Sequence, residues 1–251
     1  MNGLGEFCGI GVGPGEPGLI PVAAWEFVKR CDVIFAPRAR SMDHSVARRC
    51  LPPNEIPAGR FREVEFAIDP DRGTLRQHYA QLAQAICTEL LAGRSVAWLT
   101  LGDPMTYSTY IHTLAALKDC IPELRIRTYP GVTSYCALAA AAEFPLGDGK
   151  ERLLILPCPA DMAELRAEIE SNDIVVLMKI GAHLASVLVL LRQMGIAGHC
   201  AFGRQVGMAG EMVRMGVQGI GPEDAIGYLS TMLIRKTPPE KRPSGARQAM
   251  D

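Results

Sequence analysis

Three short segments combine glycine, proline and a hydroxyl or acidic residue in a pattern that suits ligand binding. They are Gly11-Val12-Gly13-Pro14-Gly15, Leu101-Gly102-Asp103-Pro104-Met105 and Tyr129-Pro130-Gly131-Val132-Thr133-Ser134. Glycine lets backbone approach a ligand closely because it has no Cβ, and proline fixes the path of the turn. The first segment continues to Gly18 and satisfies the GxGxxG spacing of a dinucleotide-binding loop. Two features oppose that reading. Pro14 and Pro17 remove N–H groups that a pyrophosphate needs. No acidic residue for a ribose hydroxyl stands where the second strand should end, Ala36-Pro37-Arg38-Ala39-Arg40. The arginines there can take a 2′-phosphate, so an NADP-dependent oxidoreductase stays open beside a plain structural turn and a loop lining a cleft. No Ser/His/Asp or Cys/His constellation can be assembled from sequence adjacency, which leaves covalent catalysis without support.

The elements around these segments alternate between short apolar runs and helical periodicity, the pattern of an α/β fold. Strands are predicted over 7–12, 32–36, 95–101 and 125–129, and helices over 19–31, 72–91 and 107–117. Each of the three segments therefore follows a strand, and in open α/β sheets ligands collect outside the carboxyl ends of strands. Three such turns in one fold favour a ligand cleft. The pattern then resets, with helices predicted over 134–142, 161–169 and 183–194 and strands over 153–156 and 174–178. Further strands are predicted over 200–204, 211–215 and 228–234, paired antiparallel. The reading is two α/β domains, 1–131 and 132–235, and a flexible, solvated tail over 236–251.

Composition narrows the partners. The 251 residues carry 26 Lys+Arg against 27 Asp+Glu, a net charge of −1 that gives no overall attraction to nucleic acid or anionic membrane. Eight cysteines, Cys8, Cys31, Cys50, Cys87, Cys120, Cys136, Cys158 and Cys200, form no CxxC pair. They read as small hydrophobes of a reducing compartment, with no metal site expected. No secretory signal and no apolar run of membrane-spanning length are visible, so a cytoplasmic location is expected.

In order along the chain, the three segments resemble the signatures of the tetrapyrrole methylases. That family binds S-adenosylmethionine between two α/β domains, the class III methyltransferase fold. Gly11 to Leu19 is similar to the opening signature, and Leu101-Gly102-Asp103-Pro104-Met105-Thr106-Tyr107-Ser108-Thr109 to the second. Gly-Asp-Pro followed by Tyr-Ser-Thr, and the block from Tyr129 through Pro145 to Leu153, resemble the branch that methylates C20 of precorrin-2 or cobalt-factor II. The resemblance covers about residues 7–235. It implies S-adenosylmethionine as donor, S-adenosylhomocysteine as product, a polycarboxylate tetrapyrrole as substrate, a role in cobalamin biosynthesis, and a homodimer. It does not say whether the substrate carries cobalt. Another tetrapyrrole methylase, such as uroporphyrinogen III C-methyltransferase, is the alternative within the family. Carried onto matching positions, the cofactor contacts are Pro14, Leu101, Gly102, Asp103, Thr106, Thr133, Ser134 and Met178, with Gly207 as a further one. Methylation of a ring carbon ends in loss of a proton, for which Tyr107 and Asp103 are the candidate bases. Arg38, Arg40, Arg60 and Arg62, expected in loops of the first domain, are candidates for a basic rim that meets the substrate carboxylates.

Overall fold

The computed structural model describes residues 3–39, 42–66, 72–224 and 229–238. Two compact units emerge, Met1–Ala137 with Gln205–Glu211, and Leu138–Arg204 with Met212–Asp251.

In the first unit β1 (Phe7–Gly11), β2 (Val33–Ala39), β3 (Phe61–Phe66), β4 (Val96–Thr100) and β5 (Ile126–Tyr129) form one sheet in the order β3-β2-β4-β1-β5. Every pairing is parallel. Such strands are covered on both faces, which is why β1 and β4 are buried along their whole length. On one face Cys8, Ile10, Ala97 and Leu99 pack with Ala24, Phe27 and Val28 of α1 (Val22–Arg30) and Ala47 of α2 (Val46–Arg49). On the other, Phe7, Val96 and Trp98 meet Ile86 and Leu90 of α3 (Arg72–Leu91) and Tyr110 and Leu117 of α4 (Tyr110–Cys120). Gly9 makes room for α4: a Cβ there would lie 2.4 Å from Cζ of Tyr110. The Tyr110 hydroxyl is 2.7 Å from Thr128 Oγ1.

The chain leaves β1 for α1 on one face and β4 for α4 on the other, although the two strands are neighbours. That reversal is a topological switch point, and it sets the first two glycine segments side by side at the carboxyl edge.

The division between units falls within α5 (Ser134–Ala141). The second unit holds β6 (Leu153–Pro157), α6 (Met162–Ser171), β7 (Ile174–Met178), α7 (Leu184–Gln193), β8 (Cys200–Arg204), β9 (Met212–Met215) and β10 (Ser230–Arg235). Its sheet runs β6-β7-β10-β8-β9, parallel between β6 and β7 and antiparallel elsewhere. Leu165 and Ile169 of α6 and Val187, Leu188 and Leu191 of α7 cover Leu177, Phe202, Met232 and Ile234. Asp161 caps α6 by accepting the Ala163 N–H at 2.8 Å.

Four expectations need correction. The helix expected from residue 107 starts at Tyr110, because Tyr107 takes a left-handed backbone, φ 49°, in the turn before it. The helix expected from residue 19 starts at Val22, with Pro21 outside it as N-cap. Arg62 does not lie in a loop but in β3, an edge strand whose charges, Arg62, Glu63 and Glu65, mask its alternation. The tail expected from residue 236 starts later: Arg235, just before it, ends β10 at 5% exposure. Its guanidinium donates to both oxygens of Glu151, at 2.5 and 2.9 Å. Lys236 still donates its backbone N–H to Asp173 O at 3.0 Å, whereas residues 239–251 lie outside the described ones.

The Arg235 guanidinium holds the Glu151 carboxyl below the usual glutamate range. Removing one partner of such a pair leaves a buried charge uncompensated, so Glu151→Gln is expected to cost about 3 kcal/mol in urea unfolding at pH 7. A depressed folded-state pKa contributes stability above the unfolded glutamate value and loses it as pH falls through the folded value. The difference between wild type and variant therefore shrinks on acidification below about pH 4.5, the ordinary glutamate value.

Candidate functional site

At the carboxyl edge of the first unit's sheet, the turns after β4, β1 and β5 lie side by side because those strands are adjacent. Val12 donates its N–H to Thr100 O at 3.0 Å, and Gly102 donates to Gly13 O at 2.7 Å, which welds the first two turns into an antiparallel bridge. Gly13 and Gly102 adopt φ of 84° and 72°, a region costly for any residue with a Cβ. The third turn is closer still. A Cβ on Gly131 would lie 2.0 Å from Gly102 O and 2.8 Å from the Gly11 Cα. Close approach of the backbones thus requires glycine at 11 and 131, whereas Gly102 is required by its left-handed φ.

Asp103 ties the arrangement together. Its Oδ1 accepts from the Met105 N–H at 2.9 Å and the Thr106 hydroxyl at 3.1 Å, while Oδ2 accepts from the Gly131 N–H at 3.0 Å. One carboxylate therefore fixes its own turn and anchors the next. Thr133, buried at the end of the third turn, accepts from the Cys136 N–H at 3.4 Å as the N-cap of α5, and Ser134 begins that helix. Leu101 and Thr106 are half-buried and Tyr107 is 45% exposed.

The geometry of the Gly13-to-Gly18 loop does not favour a pyrophosphate. Gly13 spends its N–H and its carbonyl on the bridge to Gly102. The loop also runs on through Leu19, Ile20 and Pro21 before α1 begins, so no helix N-terminus faces it directly. Instead it seats the segment Gln205–Glu211, which belongs to the same unit. A Cβ on Gly15 would meet Met208 Cγ at 2.4 Å, and one on Gly207 would meet the Glu16 N at 2.8 Å. Gly207 in turn donates its N–H to Glu211 Oε2 at 2.6 Å. Pro14 is buried in this loop.

Pro14, Leu101, Gly102, Asp103, Thr106, Tyr107, Thr133, Ser134 and Gly207 thus belong to the first unit, most of them around these joined turns. Met178 ends β7 in the second unit, where its carbonyl accepts from the Cys158 N–H at 2.8 Å. The arginines do not gather. Arg38 lies near the carboxyl end of β2 and donates to Met42 O at 3.0 Å. Arg60 and Arg62 stand at the start of β3, the opposite edge, where they donate to Lys29 O at 2.6 Å and Gly59 O at 2.9 Å. Arg38 and the Arg60–Arg62 pair thus stand at different edges of the sheet, and Arg40 lies outside the described residues. Sequence reasoning passed over Gly11, Gly131, Met208 and Glu211 as individual sites. The Tyr-Pro-Gly end of β5 and the Gly207-to-Glu211 spacing were the available signals. Burial pushes the Cys8, Cys31, Cys50, Cys87 and Cys200 thiols up to about 12, which suits packing rather than nucleophilic chemistry. No described helix is long and apolar enough to cross a membrane.

The sequence model of the family described as Tetrapyrrole (Corrin/Porphyrin) Methylases matches residues 6–218, a span that contains all three turns and the segment seated on the first. The chain is a tetrapyrrole methylase. Among curated relatives, this methylase is 30% identical over 236 residues to the cobalt-precorrin-2 C(20)-methyltransferase of Salmonella typhimurium, covering 94% of the chain and 98% of the relative. It is 32% identical over 192 residues to the precorrin-2 C(20)-methyltransferase of a Sinorhizobium species, covering 74% and 77%. Among solved structures, the uroporphyrin-III C-methyltransferase of Thermus thermophilus complexed with S-adenosylhomocysteine has the same fold. Its TM-score is 0.58 at 16% identity, covering 92% of this methylase and 97% of that chain.

Proposed function

We propose that this tetrapyrrole methylase transfers a methyl group from S-adenosylmethionine to C20 of precorrin-2 or its cobalt form in cobalamin biosynthesis, as a cytoplasmic homodimer. The observation that carries the branch assignment is the Salmonella relative, matched over nearly the whole of both chains and named for that reaction.

The site chemistry suits the donor. Between residues 11–15, 100–106 and 129–134 the only carboxylate is Asp103, and no lysine or arginine occurs. A cationic sulfonium is compatible with glycine carbonyls and one carboxylate; a pyrophosphate would meet no countercharge. The donor supplies an electrophilic methyl group whose leaving thioether needs no proton, so the protein's work is mainly placement, which can contribute on the order of 7–11 kcal/mol. Asp103 does that placing. With three donors on its two oxygens, it holds the second and third turns in register. Tyr107, with its half-exposed side chain beyond that turn, is the candidate base for the proton that leaves the methylated carbon. Gly102, Leu101, Thr106, Thr133, Ser134, Pro14 and Gly207 line the donor.

Isothermal titration with S-adenosylhomocysteine and NADPH tests the donor class. Micromolar binding of the homocysteine product with none of NADPH is expected. The reverse pattern would return the glycine-rich loop to a dinucleotide role and end this reading.

A further inference from the structure

One stretch of the first unit comes from far along the chain: of the residues after Ala137, only Gln205–Glu211 belongs to it. The stretch is two consecutive tight turns that share Met208. Met208 donates its N–H to Gln205 O at 2.9 Å, and Glu211 donates its N–H to Met208 O at 3.1 Å. Each turn has a left-handed glycine in third place, Gly207 at φ 78° and Gly210 at φ 89°, the position where a type II turn requires positive φ. Gln205-Val206-Gly207-Met208 and Met208-Ala209-Gly210-Glu211 thus fold for the same local reason. The Glu211 carboxylate accepts the Gly207 N–H at 2.6 Å, which braces one turn against the other. Ala209, Gly210 and Glu211 are exposed, whereas Met208 packs on the apolar cluster that holds Val12, Ile20 and Ala24. Its side chain takes the room that a Cβ on Gly15 would need, 2.4 Å from Met208 Cγ. Gly15 is not left-handed, so its need for glycine comes from this seat and not from its own backbone.

We propose that Met208 is a positioning residue for the donor site, a knob that fixes the path of the first glycine turn, and that Glu211 keeps the knob presented. This role rests on the joined turns being the donor site and names the side chains that hold one of them. Gly13, which carries the bridge to Gly102, stands two residues before Gly15. Neither glycine has a side chain with which to pack, so the turn needs a side chain from elsewhere to fix it. An unbranched thioether suits such an irregular gap. The double turn is shaped by its own glycines and hydrogen bonds. Its grip on the loop therefore comes down to Met208 and the close approach of Gly207 to the Glu16 backbone.

S-adenosylhomocysteine is titrated by calorimetry against wild type, Met208→Ala, Met208→Leu, Glu211→Ala, Glu211→Gln, Gly15→Ala and the double variant Gly15→Ala/Met208→Ala. Melting temperature, donor KM and kcat for methyl transfer to precorrin-2 are read alongside. Met208→Ala should weaken product binding and raise donor KM by about tenfold, with kcat within about twofold of wild type, the signature of lost binding rather than lost chemistry. Met208→Leu, a swap of similar volume, should restore the affinity. Glu211→Ala should weaken binding by about threefold, whereas Glu211→Gln keeps an oxygen for the Gly207 N–H and should bind as wild type does. Gly15→Ala should lose about tenfold alone, and the double variant should bind no worse than Met208→Ala, because the atom that the new Cβ meets is gone. Wild-type affinity in Glu211→Ala or in a folded Met208→Ala would overturn the role. So would losses that add in the double variant, or a lower melting temperature with donor KM unchanged. If the wild type itself binds no S-adenosylhomocysteine, the donor reading has failed, and the role with it.

Discussion

Replacing Gly131 with alanine is expected to weaken S-adenosylhomocysteine binding at least tenfold and to destabilise the protein by about 3 kcal/mol, the upper end of the usual range for overpacking. The new Cβ would stand 2.0 Å from Gly102 O and within 2.9 Å of Gly11 backbone atoms. No rotamer change relieves that, because every colliding atom is main chain. The third turn has to move away from the other two, and the 3.0 Å hydrogen bond from its N–H to Asp103 goes with it. Gly147→Ala is the control: a Cβ there meets nothing within 4 Å, and the change should stay within about 0.5 kcal/mol. Calorimetric unfolding and product titration on both variants read the two effects. Near-wild-type affinity in Gly131→Ala would mean that the joined turns are scaffold and the donor binds elsewhere.

The second large effect is expected at Asp103. Hydrogen bonds to a charged group are worth about 1.5–3 kcal/mol each, and three meet here. Asp103→Ala should therefore lower kcat/KM for methyl transfer by a hundredfold or more, with donor affinity and thermal stability falling together. Asp103→Asn keeps an acceptor for Met105 and Thr106 but turns an NH2 group toward the Gly131 N–H, so it should fall between alanine and wild type. A residue acting as the base would behave differently: asparagine would cost kcat while leaving donor affinity and stability intact. Parallel measurement of kcat, donor KM and melting temperature distinguishes the two roles.

Much of this arrangement was legible in the residue order. The buried parallel strands read as apolar runs, and each glycine-bearing turn follows one of them, so the turns' membership of one sheet edge was accessible. Their mutual contact was not. That Gly13 pairs with Gly102, or that the Asp103 carboxylate reaches Gly131, depends on β4, β1 and β5 being neighbours, and strand order is a long-range property that periodicity does not carry. The starts of α1 and α4 are not legible in the sequence because apolar residues continue through Leu19, Ile20 and Tyr107, whereas the backbone there is set by Pro21 and by the Asp103 turn. β3 was hidden by its edge position, where alternation with charged residues resembles a polar loop. The placement of Arg60 and Arg62 is hidden for the same reason: they precede or begin β3, which puts them at the edge opposite the carboxyl end of β2 that carries Arg38. The seat of Gln205–Glu211 on Gly15 joins residues nearly 200 positions apart, and only the single Gly207 hinted at it.

The most direct test is the identity of the methylated carbon. Incubated with S-adenosylmethionine labelled with carbon-13 at the methyl group, the protein should convert precorrin-2, with or without cobalt, to a product heavier by one methyl. Carbon NMR should place the enriched methyl at C20. Enrichment at another ring carbon would keep the chain in its family but refute the C20 assignment, and no transfer to either substrate would contradict the proposed reaction altogether.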